Sequence, residues 1–186
     1  MTLTGTLQDC PPASIPMMGD LIFPDERVLT ALHNSGLVEN LRDFEINVLA
    51  GLITVRYFAA QELVSETVYD SMNDALMILD EGEIEVSAFV ENEPVSLHLR
   101  TPGDLARIIS FVGGGMMNVS ARIEVKKGST VLLLQRSKLE TLLHPHPSIV
   151  YCVMRNLVRH VHGVARRNNA EMAQLSNYIY KINGRY

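Results

Sequence analysis

Six histidines, two cysteines and a few closely spaced acids are the side chains of this 186-residue chain that could do chemistry. His160 and His162 stand two apart on a helical pattern, where positions i and i+2 face different ways, so they cannot clasp one ion. His144 and His146 only flank Pro145. A histidine-ligated β-barrel enzyme needs three protein ligands, and the strand-rich middle of the chain holds His98 alone. Glu81, Glu83 and Glu85 alternate, which puts them on the solvated face of a strand rather than across a cleft as an acid/base pair. Cys10 and Cys152 are far apart, and Cys152 lies in an apolar helical pattern, so the expectation is inert thiols with no disulfide and no zinc. No serine has the surroundings of a nucleophile elbow. The run Gly113-Gly114-Gly115-Met116-Met117 could form an anion nest, but no Lys-Ser or Lys-Thr follows, so it is not a P-loop. It reads as a loop tip, with the methionines in core packing. These arrangements predict a chain that is not an enzyme and holds no metal or cofactor.

The residues are 47% hydrophobic and 20% charged, and the formal net charge is −5. That composition folds, in one domain of ordinary size. An acidic chain has no general attraction to nucleic-acid backbones or anionic lipid. Arg155, Arg159, Arg166 and Arg167 nonetheless make one late segment basic, either as a solvated face or as an attraction for an acidic partner or anionic ligand. The first residues lack the basic and apolar regions of a signal peptide, and no apolar run approaches the ~18 residues of a membrane span. A cytoplasmic protein without membrane contact is expected.

Residues 1–22 carry Pro11, Pro12 and Pro16 among small polar residues and read as a flexible arm. Helices are predicted from Asp25 to Gly36 and over Arg42 to Leu49, the second with Phe44 and Val48 on one face. Short apolar runs follow at Ile53–Phe58, Glu62–Val64, Ala75–Leu79, Ile84–Phe89, Val95–Leu99, Ala121–Val125 and Thr130–Leu134, with turns at Glu81-Gly82 and Glu91-Asn92-Glu93-Pro94. Such spacing predicts a sandwich, barrel or jelly roll. Ser137 and Glu140 have capping-box spacing for a short helix, and Pro147 suits the first turn of a long one. There Val150, Val153, Leu157, Val161, Val164, Asn168, Met172, Leu175 and Ile179 make a single stripe along about 45 Å of helix. The first turns are expected to pack on the β body. The remainder outruns it, which predicts a homodimer with Asn168 setting the register.

The order of these elements, and the residues inside them, resemble the cyclic nucleotide-binding domain of the catabolite activator protein and related regulators. The resemblance covers about Gly36 to Gln174. It runs through Tyr57-Phe58-Ala59-Ala60-Gln61-Glu62-Leu63, the segment from Asp74 to Val86, Pro102-Gly103-Asp104-Leu105, Leu132-Leu133-Leu134 with Arg136 and Leu139, and His146-Pro147 leading to Arg155-Asn156-Leu157. It implies a mainly β fold with flanking helices: a double-stranded β-helix, or jelly roll, with N-terminal helices and a long C-terminal helix. The β-roll domain would occupy residues 23–147 and the dimerisation helix 148–186. The family's transcription factors place a helix-turn-helix after that helix. Here the sequence stops at Tyr186, so direct DNA binding is not expected.

The family's phosphate cassette joins a Gly-Glu-Leu-Ala-like run to a later Pro-Arg-Ser-Ala-like one. Short-helix amides and a buried guanidinium neutralise the phosphate, and the Glu accepts from the ribose hydroxyl. Gly103-Asp104-Leu105-Ala106 resembles the first half, with a shorter acid. In the second half, aligned on Val119-Ser120-Ala121, Val119 stands for the arginine. Arg122 has the opposite strand parity, and Arg107, inside the cassette helix, is the remaining substitute. The resemblance therefore implies a non-catalytic sensory or regulatory module, cytoplasmic and dimeric, whose cAMP or cGMP binding is weak or lost and whose partner is another small anion or a regulatory protein. An alternative is a genuine cyclic nucleotide receptor. Asp104 would hold the ribose, Leu105 and Ala106 amides with Ser120 the phosphate, Arg107 would supply the charge, and Asn168 or Asn169 would meet the base. A second alternative is a protein-interaction scaffold.

Overall fold

The computed structural model describes residues 25–65, 74–90, 93–113 and 121–183. The Asp25 carboxylate accepts from the Arg27 N–H at 3.1 Å, capping α1 (Glu26–Asn34), whose buried face is Val28, Ala31 and Leu32 at helical spacing. Gly36 follows in the left-handed region. In α2 (Asp43–Ala50) the Glu45 carboxylate accepts from the Arg42 N–H at 2.9 Å and from the Ser148 hydroxyl at 2.6 Å. These bonds hold the Glu45 carboxyl below its ordinary pKa, the Ser148 one most of all. The buried face of α2 is Glu45, Ile46, Leu49 and Ala50. Phe44, placed on one face with Val48, is half exposed while Val48 packs against the core, because the serine tie turns the 45/46/49 side toward the core.

The sheet comprises β1 (Thr54–Phe58), β2 (Leu63–Ser65), β3 (Ala75–Val90), β4 (Glu93–Leu99), β5 (Leu105–Ala106) and β6 (Ala121–Gln135). Its order is β1-β6-β3-β4, with β2 also on β6 and β5 on β3, and every pairing is antiparallel. Four predicted strands are thus two. β3 and β6 pair from Ala75 with Gln135 to Ala88 with Ala121, and the expected turn at Glu81-Gly82 is a run of bulges inside β3, with register shifts between Leu79 and Ile84. A bulge satisfies the same glycine requirement as a turn, since Gly82 has φ 108°. The strand bends there without reversing. In the other predicted turn, Glu91 and Asn92 lie outside the described residues, while Glu93 and Pro94 open β4 opposite Val90 and Phe89.

Alternation along β3 and β6 feeds two cores. Phe58, Met77, Leu79, Ile84, Ile123, Val125 and Leu133 fill the inside of the roll. Leu76, Ile78, Leu132 and Leu134 face the other way, onto α1, α2 and the final helix. The short helix α4 (Arg136–Glu140) begins one residue before the expected cap. Ser137 is inside it, and its N–H donates at 3.4 Å to Asp74, whose carbonyl also accepts from the Arg136 N–H at 3.1 Å. No capping box forms, because Asp74 already satisfies those end amides.

The last helix, α5 (Pro147–Asn183), has 37 residues and runs about 55 Å. Ile149, Val153 and Leu157 bury its first turns in the helical-side core. Tyr151, Val158, Val161 and Met172 are exposed, so the expected single stripe is two: one against the body and one facing out. Among the described residues, no helix is long and apolar enough to cross a membrane.

Candidate functional site

The cassette-like segment starts from a close backbone approach. Gly103 has φ 96°, and a Cβ on it would lie 2.5 Å from the Asn34 carbonyl carbon and 2.7 Å from the Ser35 nitrogen, so only glycine lets this loop press on the end of α1. The Gly103 N–H donates to the Leu79 carbonyl at 2.7 Å, and the Leu79 N–H donates to the Asp104 carbonyl at 2.9 Å. One Asp104 carboxylate oxygen, Oδ2, accepts from the Arg100 and Thr101 amides, each at 2.8 Å. The acid expected to meet a ribose closes its own loop, as aspartate does in turns. The neighbouring Arg100–Glu83 ion pair at 2.8 Å is exposed and adds little.

Leu105 and Ala106 are buried, and they pair with Ile78 and Met77 as β5. They are strand residues rather than the helix-start residues expected, because a two-residue strand extends the edge of β3 before the helix begins. Arg107 also lies before the helix, with φ 65°, and its carbonyl accepts from the Phe111 N–H at 2.9 Å. α3 is therefore Ile108–Gly113. Arg107 is 8% exposed. In α3, Phe111 is buried while Ile109 and Val112 are open to solvent.

Val119 and Ser120 lie outside the described residues, as do Gly114, Gly115, Met116 and Met117. Ala121 opens β6 opposite Ala88, and Arg122 is exposed, as its parity requires. Gly103 to Arg107 thus form one continuous segment against β3. Asn168 and Asn169 are exposed on α5, roughly 12 Å along the helix axis from His160, the α5 residue whose charge state Asp104 influences.

A second polar group was not anticipated. A cleft of about 210 Å³ between the α1–α2 connection and α5 is lined by Ser35, Gly36, Glu39, Asn156, Arg159 and His160. The Asn156 amide donates to the carbonyls of Leu37 at 2.9 Å and Glu39 at 3.0 Å, tying helix to connector. Burial lowers the His160 pKa, Arg167 lowers it further, and Asp104 opposes both. The available signal was Asn156 itself, an amide between the core positions Val153 and Leu157.

No protein-family model matches the sequence, and no curated protein is found similar to it. Solved structures are similar. A cyclic nucleotide-binding domain from Methylobacillus flagellatus superposes with a TM-score of 0.65 at 17% identity over 80% of this chain and 82% of that one. The catabolite activator protein of Thermus thermophilus gives 0.58 at 20% identity over 76% of this chain. The match spans less than two thirds of that protein's length, 63%. The regulatory subunit of a cAMP-independent protein kinase A from Trypanosoma brucei, as a triple mutant bound to cAMP in its A site, gives 0.58 at 18% identity over 86% of this chain and 53% of that one.

Proposed function

We propose that this chain, which has the fold of a cyclic nucleotide-binding domain, is a non-catalytic regulatory module whose cassette is degenerate, so that cAMP and cGMP bind weakly or not at all. The observation that carries this reading is the Asp104 carboxylate. Its Oδ2 is committed to the Arg100 and Thr101 amides, where a ribose hydroxyl would have to compete with two charge-assisted hydrogen bonds. Val119 in place of the family's arginine removes the other half of the site. The trypanosomal subunit supports the pairing of this fold with lost cAMP dependence. It is described as cAMP-independent, and the cAMP-bound form is a triple mutant in which one substitution introduces an arginine.

Calorimetric titration at low salt tests the reading. No heat is expected below millimolar cAMP or cGMP, and micromolar binding overturns it. The receptor alternative keeps one observation in its favour, the buried Arg107 beside β5. There, micromolar binding would be lost in Arg107→Gln.

The module is proposed to act as a homodimer through α5. Tyr151, Val158, Ala165 and Met172 recur every seven residues, with Met154, Val161 and Asn168 in the complementary positions, which is a heptad seam. Tyr151, Val158, Val161 and Met172 are exposed, with Met172 at 64%. Arg159, Arg166 and Arg167 fall off this seam, so two copies would not set like charges against each other. Sedimentation at micromolar concentration is expected to show a dimer, and Val161→Glu with Met172→Glu a folded monomer. A monomeric wild type rejects the seam. Cytoplasmic residence and a regulatory protein partner belong to the same proposal.

A further inference from the structure

The final helix carries a row of charge that neither the cassette nor the seam uses. α5 holds Arg155, Arg159, Arg166, Arg167 and Lys181 against a single acid, Glu171, in a chain whose formal net charge is −5. Ser148, Arg155, Arg159 and Arg166 follow at intervals of seven, four and seven, which puts them on one face of the helix. Acid-bearing segments of the body already cross the near end of that face. The Glu45 carboxylate accepts from the Ser148 hydroxyl at 2.6 Å, and the Glu39 carboxylate pairs with Arg159 at 3.7 Å. The acids then end while the bases go on. Arg166 is exposed and lies about 10 Å further along the axis, and no carboxylate among the described residues pairs with it. Arg155, half-buried with its guanidinium 5.6 Å from the Tyr151 ring centre, adds charge to the row without reaching out of it.

A carboxylate at Arg166 would continue the pattern that Glu45 and Glu39 begin. A second helix supplies carboxylates at the right interval, because residues seven apart span the same distance on either helix. We infer that the Arg159–Arg166 row docks an acidic helix of a partner protein, laid along α5 beyond the body with carboxylates seven residues apart. The exposed Arg159 side chain has N–H groups for a second carboxylate beside Glu39, and Arg166 offers its whole fork. Outside α5 the chain is acidic, so a long polyanion meets repulsion there while a short acidic helix touches the row alone. The inference names the protein partner of the proposed regulatory module and rests on that reading, but the docking uses no residue of the cassette or of the seam.

The test uses the full chain without cyclic nucleotide. Two alanine-rich peptides of about 20 residues, long enough to be helical, are titrated at low salt while the arginine Nε–H signals are followed by NMR. One carries glutamates seven apart on one face, and the other has the same composition with glutamates five apart, which spreads them round the helix. The first is expected to shift Arg159 and Arg166 saturably, to bind several-fold more tightly than the second, and to be released toward about 0.5 M salt. Arg166→Glu is expected to weaken it about fivefold, and Arg167→Glu, the same charge change about 100° round the helix, by less than about twofold. Both positions are exposed, so the melting temperature should not move. Equal losses in the two variants, equal binding of the two peptides, tighter binding of a single-stranded oligonucleotide of the same charge, or no shift with either peptide overturns the proposal. Micromolar cAMP binding would overturn the degenerate cassette and leave this result standing.

Discussion

Gly82→Ala is expected to lower the thermal midpoint by about 6–12 °C. At φ 108° a side chain strains the backbone, at roughly 1–3 kcal/mol. The added Cβ would also lie 2.6 Å from both the Gly128 carbonyl oxygen and the Ser129 Cα, and closer still to the Ser129 hydroxyl. That is backbone on the opposing strand, which cannot swing aside as a side-chain tip can. Ser129 is fully buried, and its hydroxyl accepts from the Glu83 N–H at 3.0 Å, so moving it breaks the bond that seats the bulge. Overpacking of this kind costs ~1–3 kcal/mol, which with the strain gives about 3 kcal/mol, at 2–4 °C per kcal/mol for a chain of this size. Gly163→Ala is the control. Its Cβ would meet only the Arg167 guanidinium, at 3.9 Å, and alanine in mid-helix should add about 0.5–1 kcal/mol of stability. A scanning calorimetry midpoint for Gly82→Ala within about 2 °C of wild type would mean that β3 can take up the extra atom by sliding on β6.

The same bulge shows where sequence reasoning about the fold succeeded and where it stopped. Short apolar runs separated by glycine and acids identified the β body, because alternation and punctuation are local properties. Whether the chain reverses at Gly82 or only bends is decided by the opposite strand. β6 runs unbroken through Lys126, Lys127 and Gly128, and two bent strands then pair over almost their whole length. Helix positions were legible for a similar reason, whereas helix faces were less so. The single stripe drawn through Val153 and Met172 divides because the body stops covering α5 after Leu157. The residues facing solvent beyond that point follow a seven-residue repeat that the core residues do not share.

The cassette was legible as an order of residue types, which placed Gly103 to Arg107 in one segment. It was not legible as geometry. An aspartate reads as a shortened ribose acceptor, yet its extra competence is to close a four-residue turn, and the amides of Arg100 and Thr101 take it first. The cleft at Asn156 left one trace in the sequence, an amide between the core positions Val153 and Leu157, and no more, since its groups come from residues 35–39 and 156–160, brought together only by the packing of α5 across the connector.

The larger change in function is expected from Val119→Arg, with cAMP binding tightened about 100-fold. Two charge-assisted hydrogen bonds from a guanidinium to the phosphate are worth ~1.5–3 kcal/mol each. After the cost of desolvating and ordering a long side chain, about 3 kcal/mol remains, or two factors of ten at 1.4 kcal/mol each. The gain should fall short of a complete family site, because Asp104 still has its Oδ2 on the Arg100 and Thr101 amides, which leaves only one carboxylate oxygen for the sugar. Salt should weaken the new binding more than the old, since the added interaction is ionic. Arg107 makes the experiment discriminating. If its buried guanidinium already neutralised the phosphate, a second arginine would meet a compensated charge, so Val119→Arg would add little while Arg107→Gln abolished binding. A large gain in Val119→Arg that survives Arg107→Gln establishes that the missing charge was the defect. No gain in either background means that the run Val119-Ser120-Ala121 does not stand where the family's arginine stands, and the degenerate cassette must then be argued from Asp104 alone.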